Sequence, residues 1–304
     1  MIATNNHQLQ QILNSFSTSN NCIVGLCSAD PLDTPPQSFV PFVSKNIEKR
    51  TNPGALLPGA SSVFAVGCPI PMGISKEETA INATKQGPLA QLSSLGTTPD
   101  YHPVVKAMLL KLADTLHVHF AFTYKAFVDS PNLDERAFAH RAGLGFFGQN
   151  GLIISPQYGS RFNIGLLVTT IPVPPMPLPT AASSCHPNCN NCVQACPNGA
   201  IRPGLPLDIA RCASYITQKR NITAEEETLL ANQLYGCDIC QNVCPFNKRE
   251  VPTYINANTW AALSTAQFKN LYGNTAMLWQ GTDILTRNGK INAKTCDMVK
   301  YSEI

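Results

Sequence analysis

Charged side chains are scarce in this chain of 304 residues: Asp, Glu, Lys and Arg together make up 13% of it, and the formal net charge is +3. So small a net charge gives no argument for nucleic-acid binding from bulk electrostatics, and a polyanion would have to meet a local cluster of basic residues. Hydrophobic residues account for 44% of the chain, which excludes an intrinsically disordered protein. The length favours two domains over one.

Long apolar runs are also missing. The longest, such as NIGLLVTTI, are far shorter than the roughly 20 residues that a membrane-spanning helix requires. The opening stretch, MIATNNHQLQQILNSF, does not have the basic region followed by an apolar block that is typical of a secretory signal. We therefore expect a soluble, cytoplasmic protein that does not associate with membranes.

The first half of the chain alternates between strand and helix patterns. The apolar runs at 22–27 and 62–68 predict buried strands, and 103–117 repeats apolar residues at helical spacing. The stretch GLIISPQYGSRFNIGLLVTT predicts two further strands, joined at 157–160. This alternation predicts an α/β domain.

Asp129 stands between a predicted strand and a predicted helix. VHFAFTYKAFVD alternates aromatic residues and predicts a strand that ends at Asp129. SPNLDERAFAHRAG predicts a helix with Ser130 as its N-cap, which ends at Gly143. An acid at such a junction is also explained by the helix dipole, which favours negative charge near a helix start.

Eight of the twelve cysteines lie between positions 185 and 244 at regular spacings. One run reads C-x3-C-x2-C-x3-C-P and a second reads C-x2-C-x3-C-P, with one cysteine between them. In a C-x2-C-x2-C-x3-C-P run three thiolates bind one 4Fe–4S cluster and the fourth binds a second cluster. The spacing therefore predicts two clusters, one held by Cys185, Cys189, Cys192 and Cys244 and the other by Cys196, Cys212, Cys237 and Cys240.

Two alternatives accompany this interpretation. Four-cysteine zinc sites also use C-x2-C pairs, although a repeated x3-C-P is not typical of them. The first gap is one residue longer than in a ferredoxin run, which places His186 at the usual ligand position. We favour Cys185 as the ligand, because thiolate is the commoner ligand of such a cluster.

Two neighbouring clusters form a short electron path, and such a path implies an acceptor. We expect that acceptor, or the substrate, in the domain that precedes the cysteines. A proline-rich stretch at 169–184 predicts the linker between them. The predicted fold class is α+β, with an α/β domain at 1–175, a ferredoxin-like two-cluster domain at 176–250 and a short helical segment at 251–304.

Longer motifs in the same region resemble a known family. LLPGASSVFAV, DYHPVVKAMLLKLADTL, FVDSPNLDERAFAHRAGLGFFGQNGLIISPQYGSRFNIG, CHPNCNNCVQACPNGAI and YGCDICQNVCPFN occur in an order that resembles the epoxyqueuosine reductases. That resemblance implies an oxidoreductase with cobalamin and two 4Fe–4S clusters. The implied reaction removes the epoxide oxygen of epoxyqueuosine in tRNA and leaves queuosine.

The resemblance also assigns roles to residues. Asp129 corresponds to the family's general acid, a group suited to protonating the oxygen of an opening epoxide. The implied cobalamin contacts are Gly148, Asn150, Ile153, Ile164 and Asp238. Gln149 stands where the family usually has lysine, so a charge expected near the cofactor or substrate is missing.

The expected partners are a tRNA anticodon stem-loop and an external electron donor such as a flavodoxin or ferredoxin, and the protein is expected to act as a monomer. Two other functions stay open: a related corrinoid iron–sulfur reductase of a small molecule, and an iron–sulfur electron carrier without catalysis. Basic residues available for phosphate contacts are Lys219, Arg220, Lys248, Arg249, Arg287 and Lys290.

Overall fold

The computed structural model describes residues 6–33, 44–71, 87–173, 185–248 and 252–295. In chain order, its helices and strands are α1 (Asn6–Asn20), β1 (Ile23–Ser28), α2 (Ile47–Thr51), β2 (Ser62–Pro69), β3 (Leu89–Leu92), α3 (Ser94–Thr97), α4 (Tyr101–His117), β4 (Tyr124–Val128), α5 (Glu135–Arg141), β5 (Phe146–Phe147), β6 (Ile153–Ile154), β7 (Phe162–Thr169), α6 (Asn191–Ala195), α7 (Ala213–Ile216), α8 (Ala224–Thr228), β8 (Gln233–Tyr235), α9 (Ile239–Asn242), β9 (Thr253–Asn256), α10 (Ala257–Ala261), α11 (Thr265–Tyr272) and α12 (Thr282–Thr295). Short 3-10 turns lie at Pro53–Ala55, Ile209–Arg211 and Ala276–Gln280. This mixture of helices and strands confirms the α+β class.

The chain folds into two compact units, each built from two stretches. The first comprises Met1–Ile70 and His102–Cys189, and the second comprises Pro71–Tyr101 and Asn190–Ile304. This division does not coincide with the boundaries predicted at 175 and 250, because β3 belongs to the sheet of the second unit. Most of the predicted proline-rich linker, 174–184, lies outside the described residues. The three-part division by function therefore stays a prediction.

The first unit contains a four-stranded antiparallel sheet in the order β1-β2-β7-β4. The predicted strands at 22–27 and 62–68 are confirmed as β1 and β2, which pair with each other. The two strands expected from 152–170 are also present, but they do not pair: β6 pairs with β5, and β7 pairs with β2 and β4. The reason is burial, since the apolar strand β7 completes the centre of the sheet beside β2.

Helices cover both faces of this sheet. A Cβ on Gly165 of β7 would lie 2.5 Å from Val105 of α4, so α4 packs directly on the strand backbone. On the opposite face, a Cβ on Gly25 of β1 would lie 2.0 Å from the carbonyl oxygen of Ala142, at the end of α5. The buried face of α4, which includes Leu109, contributes about 1.5–3 kcal/mol for each fully buried leucine. The sheet therefore fixes the positions of α4 and α5.

The second unit contains the three-stranded sheet β8-β3-β9, in which β8 is parallel to β3 and β9 is antiparallel to it. Trp260 of α10 is fully buried, and its indole N–H donates to the carbonyl of Leu285 at 2.9 Å. Asn288 of α12 is also fully buried and donates to the carbonyls of Thr217 and Leu234, both at 2.8 Å. The C-terminal segment is therefore helical, as expected, with one strand that completes the sheet.

In the part of the chain that the structure describes, no helix is long and apolar enough to cross a membrane.

Candidate functional site

Asp129 directly follows β4 and begins a tight loop. Its backbone has a φ of +49°, in the left-handed region that residues other than glycine seldom adopt. Its side chain is 68% exposed, and Oδ2 lies 3.6 Å from Nε2 of His102 near the start of α4. The predicted strand therefore ends where expected, although it begins at Tyr124 rather than at Val118. The carboxylate faces solvent beside an imidazole.

The predicted N-cap of the following helix is wrong. Helix α5 begins at Glu135, and Asp134 caps it by accepting a hydrogen bond from the Ala137 amide at 3.2 Å. Asp134 also lies 3.5 Å from the guanidinium of Arg50, and both side chains are almost completely buried. Burial lowers the pKa of Arg50, and the charge of Asp134 opposes that effect. This buried ion pair explains why the helix starts four residues later than Ser130 suggested.

Glu135 reaches back to the loop that begins at Asp129. One carboxylate oxygen accepts a hydrogen bond from the Asp129 amide at 3.1 Å, and the other accepts one from the Ser130 amide at 2.8 Å. Burial raises the pKa of Glu135 from its ordinary value to about 8, and the two amide donors partly oppose that effect. The sequence analysis missed this residue because only its spacing of six residues from Asp129 marks it, and that spacing is not specific.

Four of the residues predicted to contact cobalamin lie in the first unit. Asn150 and Ile153 are 4% and 3% exposed, and Ile164 packs against the same core as Ile153. Gly148 is also buried, and a Cβ there would lie 2.5 Å from Ile154 and 2.7 Å from Oδ1 of Asn150. The glycine is therefore needed by the β5–β6 turn itself, whatever ligand the turn meets.

Gln149 occupies the position at which lysine was expected. Its amide nitrogen donates to the carbonyl of Cys189 at 2.5 Å. Its amide oxygen is buried and accepts no hydrogen bond from the described residues. The side chain thus ties the glycine-rich turn to the first cysteine run, and it leaves one buried acceptor unsatisfied.

Asp238, the remaining predicted cofactor contact, lies in the second unit. Its Oδ2 accepts a hydrogen bond from the Ser94 amide at 2.6 Å, and its Oδ1 accepts one from the Gln241 side chain at 3.1 Å. The hydroxyls of Ser93 and Ser94 are buried and have no hydrogen-bond partner among the described residues. Sequence reasoning missed both serines, since an orphaned hydroxyl becomes visible only when its surroundings are known.

Three cysteines of the second unit, Cys212, Cys237 and Cys240, have a pKa that neighbouring thiols raise. Burial raises the pKa of Cys237 to about 12, and the neighbouring thiols Cys212 and Cys196 raise it further. Burial likewise raises the pKa of Cys240, with contributions from Cys237 and Cys212. Backbone amides point at these sulfurs, including that of Ala200, 3.4 Å from Sγ of Cys196. These four thiols are the set predicted for one cluster.

The two short helices that carry the C-x2-C pairs lie side by side: α6 follows Cys189, and α9 follows Cys237. The side chain of Asn191 donates to the carbonyl of Val243 at 3.2 Å and joins them. Cys192, on α6, is among the groups that raise the pKa of Cys240. The part of the first cysteine run that lies in this unit, with Cys192 and Cys196, therefore meets the second run, as a two-cluster domain requires.

Cys185 and Cys189 belong to the first unit, and both are partly exposed. Between them, His186 is exposed, and its Nδ1 accepts a hydrogen bond from the Asn188 amide at 3.2 Å. The Cys189 amide donates to the carbonyl of His186 at 2.8 Å. One histidine nitrogen is thus already used in the turn.

Two family models match this chain. Residues 185–247 match a 4Fe–4S double cluster binding domain, a range that contains all eight clustered cysteines. This match confirms two 4Fe–4S clusters and excludes the zinc alternative. Residues 50–130, which end just after Asp129, match the model described as epoxyqueuosine reductase QueG, DUF1730.

Full-length relatives agree with both models. An epoxyqueuosine reductase of Bacillus cereus is 32% identical over 289 residues, which cover 87% of this chain and 74% of the relative. One from Bacillus subtilis is 33% identical over 264 residues, 81% of this chain and 66% of the relative. The chain belongs to the epoxyqueuosine reductase family.

Solved structures of epoxyqueuosine reductases have the same fold. One that holds a tRNA-Tyr stem loop modified with epoxyqueuosine has a TM-score of 0.81 and 30% identity, and covers 95% of this chain and 81% of that one. Another, from Bacillus subtilis, has a TM-score of 0.78 and 29% identity, covers 95% of this chain and 82% of that one, and has its catalytic loop swung out of the active site. The predicted family and its fold are confirmed.

Proposed function

We propose that this chain reduces epoxyqueuosine in tRNA to queuosine, with electrons supplied through two 4Fe–4S clusters and with cobalamin as cofactor. The observation that carries the proposal is the fold match, over 95% of the chain, to an epoxyqueuosine reductase holding a stem loop that bears epoxyqueuosine. The two alternative functions, reduction of a small molecule by a related corrinoid iron–sulfur enzyme and electron transfer without catalysis, have no comparable support.

The reaction assigns a task to Asp129. Removing an epoxide oxygen as water and leaving an alkene consumes two electrons and two protons. The oxygen needs a proton as its carbon–oxygen bond breaks, and a positioned carboxylic acid supplies one efficiently. The carboxyl of Asp129, at the end of β4, is exposed and therefore accessible to a substrate, which supports this role.

His102 supports this role. Its Nε2 lies 3.6 Å from Oδ2 of Asp129, and its side chain is 42% exposed. An imidazole at that distance exchanges protons with the carboxyl directly or through one water molecule. We therefore assign His102 to proton return after each turnover.

Residues present in the chain fit cobalamin. The corrin edge carries amide side chains, which both donate and accept hydrogen bonds. In the first unit, the buried amide oxygen of Gln149 accepts no hydrogen bond from the described residues. A buried polar atom without a partner costs about 1–3 kcal/mol, so a polar ligand edge would relieve that cost.

In the first unit, the residues assigned to hold the cofactor are the predicted Gly148, Asn150, Ile153 and Ile164, together with Gln149. Asp238, in the second unit, stays a prediction from the family resemblance. The chemistry expected of bound cobalamin is delivery of electrons to the epoxide through its cobalt.

For the clusters we retain the predicted ligands, Cys185, Cys189, Cys192 and Cys244 for one and Cys196, Cys212, Cys237 and Cys240 for the other. Cys196 raises the pKa of Cys212 and of Cys237, and Cys212 and Cys237 raise that of Cys240, which supports the second set. The turn hydrogen bond at Nδ1 of His186 supports Cys185 over that histidine.

A tRNA anticodon stem-loop is the proposed macromolecular substrate, and the proposal includes a flavodoxin or ferredoxin as donor and a cytoplasmic monomer. Two of the basic residues considered for phosphate contacts have structural partners. Arg287 donates to the carbonyls of Lys219 and Arg220 at 2.7 and 2.8 Å, and the ammonium of Lys219 pairs with Glu226. Arg249 lies outside the described residues.

The test is anaerobic incubation of cluster-loaded protein with cobalamin, a strong reductant and a tRNA stem-loop that contains epoxyqueuosine, followed by mass analysis of the nucleosides. We expect queuosine from the wild-type chain. Asp129→Asn should lower the rate about 10²- to 10⁴-fold while cobalamin binding is retained. Absence of queuosine from protein with both clusters and cobalamin would refute the function, and an undiminished rate in the variant would refute the role of Asp129.

A further inference from the structure

We propose that Glu135 is a positioning residue that latches the loop carrying Asp129, and that this latch sets how long the general acid stays in its working position. The inference rests on the function proposed above, because it assigns Glu135 a role through Asp129.

The geometry is a two-point attachment. The two oxygens of Glu135 accept hydrogen bonds from two consecutive amides, those of Asp129 and Ser130, at 3.1 and 2.8 Å. These bonds close the segment from Asp129 to Glu135 into a ring, in which the side chain at the start of α5 is joined to the backbone at the start of the loop. A carboxylate that accepts one amide on each oxygen fixes the peptide plane between Asp129 and Ser130 in direction as well as in place.

That peptide needs to be fixed. Asp129 has a φ of +49°, which an aspartate adopts only at a cost in free energy, so the conformation persists where the surroundings impose it. Its own carboxyl is mostly exposed and is paired over 3.6 Å with His102, which is too long for a firm hydrogen bond. Two hydrogen bonds that hold this backbone come from Glu135.

The base of the latch is itself anchored. Asp134, next to Glu135, is paired with Arg50 of α2, and its amide donates to the carbonyl of Arg50 at 3.0 Å. The guanidinium of Arg136, on the other side, donates to the carbonyl of Gly151 at 2.8 Å. Loop movement relative to α5 thus requires release of the two amide bonds to Glu135.

The latch is sensitive to pH. Glu135 faces two other carboxylates, Asp129 at the loop and Asp134 at the helix start, and both raise its pKa in addition to the effect of burial. The nearby cations are engaged elsewhere, Arg50 with Asp134 and Arg136 with Gly151. With a pKa of about 8, Glu135 is largely protonated at neutral pH and becomes a stronger acceptor as the pH rises above 8.

Glu135→Gln tests the latch, because it keeps the size of the side chain and leaves one acceptor oxygen for two amides. Above pH 8, where Glu135 is ionised, we expect hydrogen–deuterium exchange at the Asp129 and Ser130 amides to become about tenfold faster, the effect of losing one hydrogen bond to a charged acceptor. The kcat for epoxide reduction should fall about tenfold, and KM for the stem-loop should stay within about twofold. The pH dependence of kcat near 8 should disappear.

Glu48→Gln is the matched control, since Glu48 is also a first-turn acid of a helix in the first unit but is exposed. It should leave the exchange and kcat unchanged. A second measurement uses the wild-type protein and so does not depend on the folding of a variant. Protection of the Asp129 and Ser130 amides from hydrogen–deuterium exchange, corrected for the intrinsic exchange rate, should increase as the pH rises through 8.

Unchanged exchange at these amides in Glu135→Gln, or wild-type protection that does not vary across pH 8, would overturn the latch. Equal effects of Glu135→Gln and Glu48→Gln would overturn it too. If wild-type protein with both clusters and cobalamin yields no queuosine, the proposed function fails, whereas the exchange measurement still decides whether Glu135 holds the loop.

Discussion

Glu135 should make the stability of this protein fall as pH rises from about 4.5 to 8. Its pKa is near 4.5 in the unfolded chain and about 8 in the folded one. Below pH 4.5 the carboxyl is protonated in both states and its titration costs nothing. Between the two values the unfolded chain releases a proton that the folded protein keeps, so unfolding becomes progressively easier with pH. Above pH 8 the loss is complete.

The size of the effect follows from the same two pKa values. At about 1.4 kcal/mol for each pH unit, a pKa raised from 4.5 to about 8 corresponds to at most about 5 kcal/mol. The side chain retains some solvent contact, so we expect roughly 2 kcal/mol. At about 2–4 °C per kcal/mol, that loss lowers the melting temperature by roughly 4–8 °C.

Comparison of wild type with Glu135→Gln isolates this contribution, because the clusters and all other titrating groups are common to both proteins. Apparent melting temperatures would be recorded anaerobically, at one scan rate, from pH 5 to 8.5. The melting temperature of the variant should rise steadily relative to that of the wild type from pH 5 to about 8, whatever the difference between them at pH 5. Parallel curves for the two proteins would refute the reasoning, as would a wild type that gains on the variant.

Three further predictions concern the clusters and the second unit. Cys185→Ala should lose iron and the absorbance of one cluster, whereas His186→Ala should retain about eight irons per chain, and the reverse result would make the histidine the ligand. Cys212→Ser should lose about four irons per chain and retain the other cluster, as electron paramagnetic resonance of the reduced protein would show; retention of all eight would remove Cys212 from the ligand set. Asn288→Ala leaves two buried carbonyls without donors and should destabilise the second unit by about 2–4 kcal/mol in urea unfolding, against little change for exposed Asn258→Ala.

The cluster domain was predictable because its signal is local. Eight thiols at fixed spacing, followed twice by proline, are compatible with few kinds of metal site, and this spacing does not depend on how the rest of the chain folds. The first strands were predictable for a similar reason, since short apolar runs at 22–27 and 62–68 are bounded by polar residues. Strand order was not, because β2 finds its second partner, β7, about a hundred residues further along the chain.

The start of α5 shows where local signals fail. Ser130 followed by proline matches the pattern of a helix start, and nothing nearby in sequence argues against it. The observed cap, Asp134, is stabilised by its ion pair with Arg50, which lies 84 residues away in the chain. Once Asp134 starts the helix, Glu135 can turn back onto the Ser130 amide, so the residue that looked like the cap becomes part of the loop that carries Asp129.

Glu135, Ser93 and Ser94, which sequence reasoning missed, share one physical property with Gln149: each has a polar atom removed from water. Two amides donate hydrogen bonds to the carboxyl of Glu135 and partly offset its loss of hydration. The amide oxygen of Gln149 and the hydroxyls of Ser93 and Ser94 have no hydrogen-bond partner among the described residues. Native proteins leave few buried polar atoms unsatisfied, and those they do leave tend to lie where a ligand or water completes the set. Gln149 adjoins Gly148 and Asn150, so its unsatisfied oxygen lies in a segment that the family resemblance marks for cobalamin, whereas Ser93 and Ser94 lie outside the motifs that carry that resemblance.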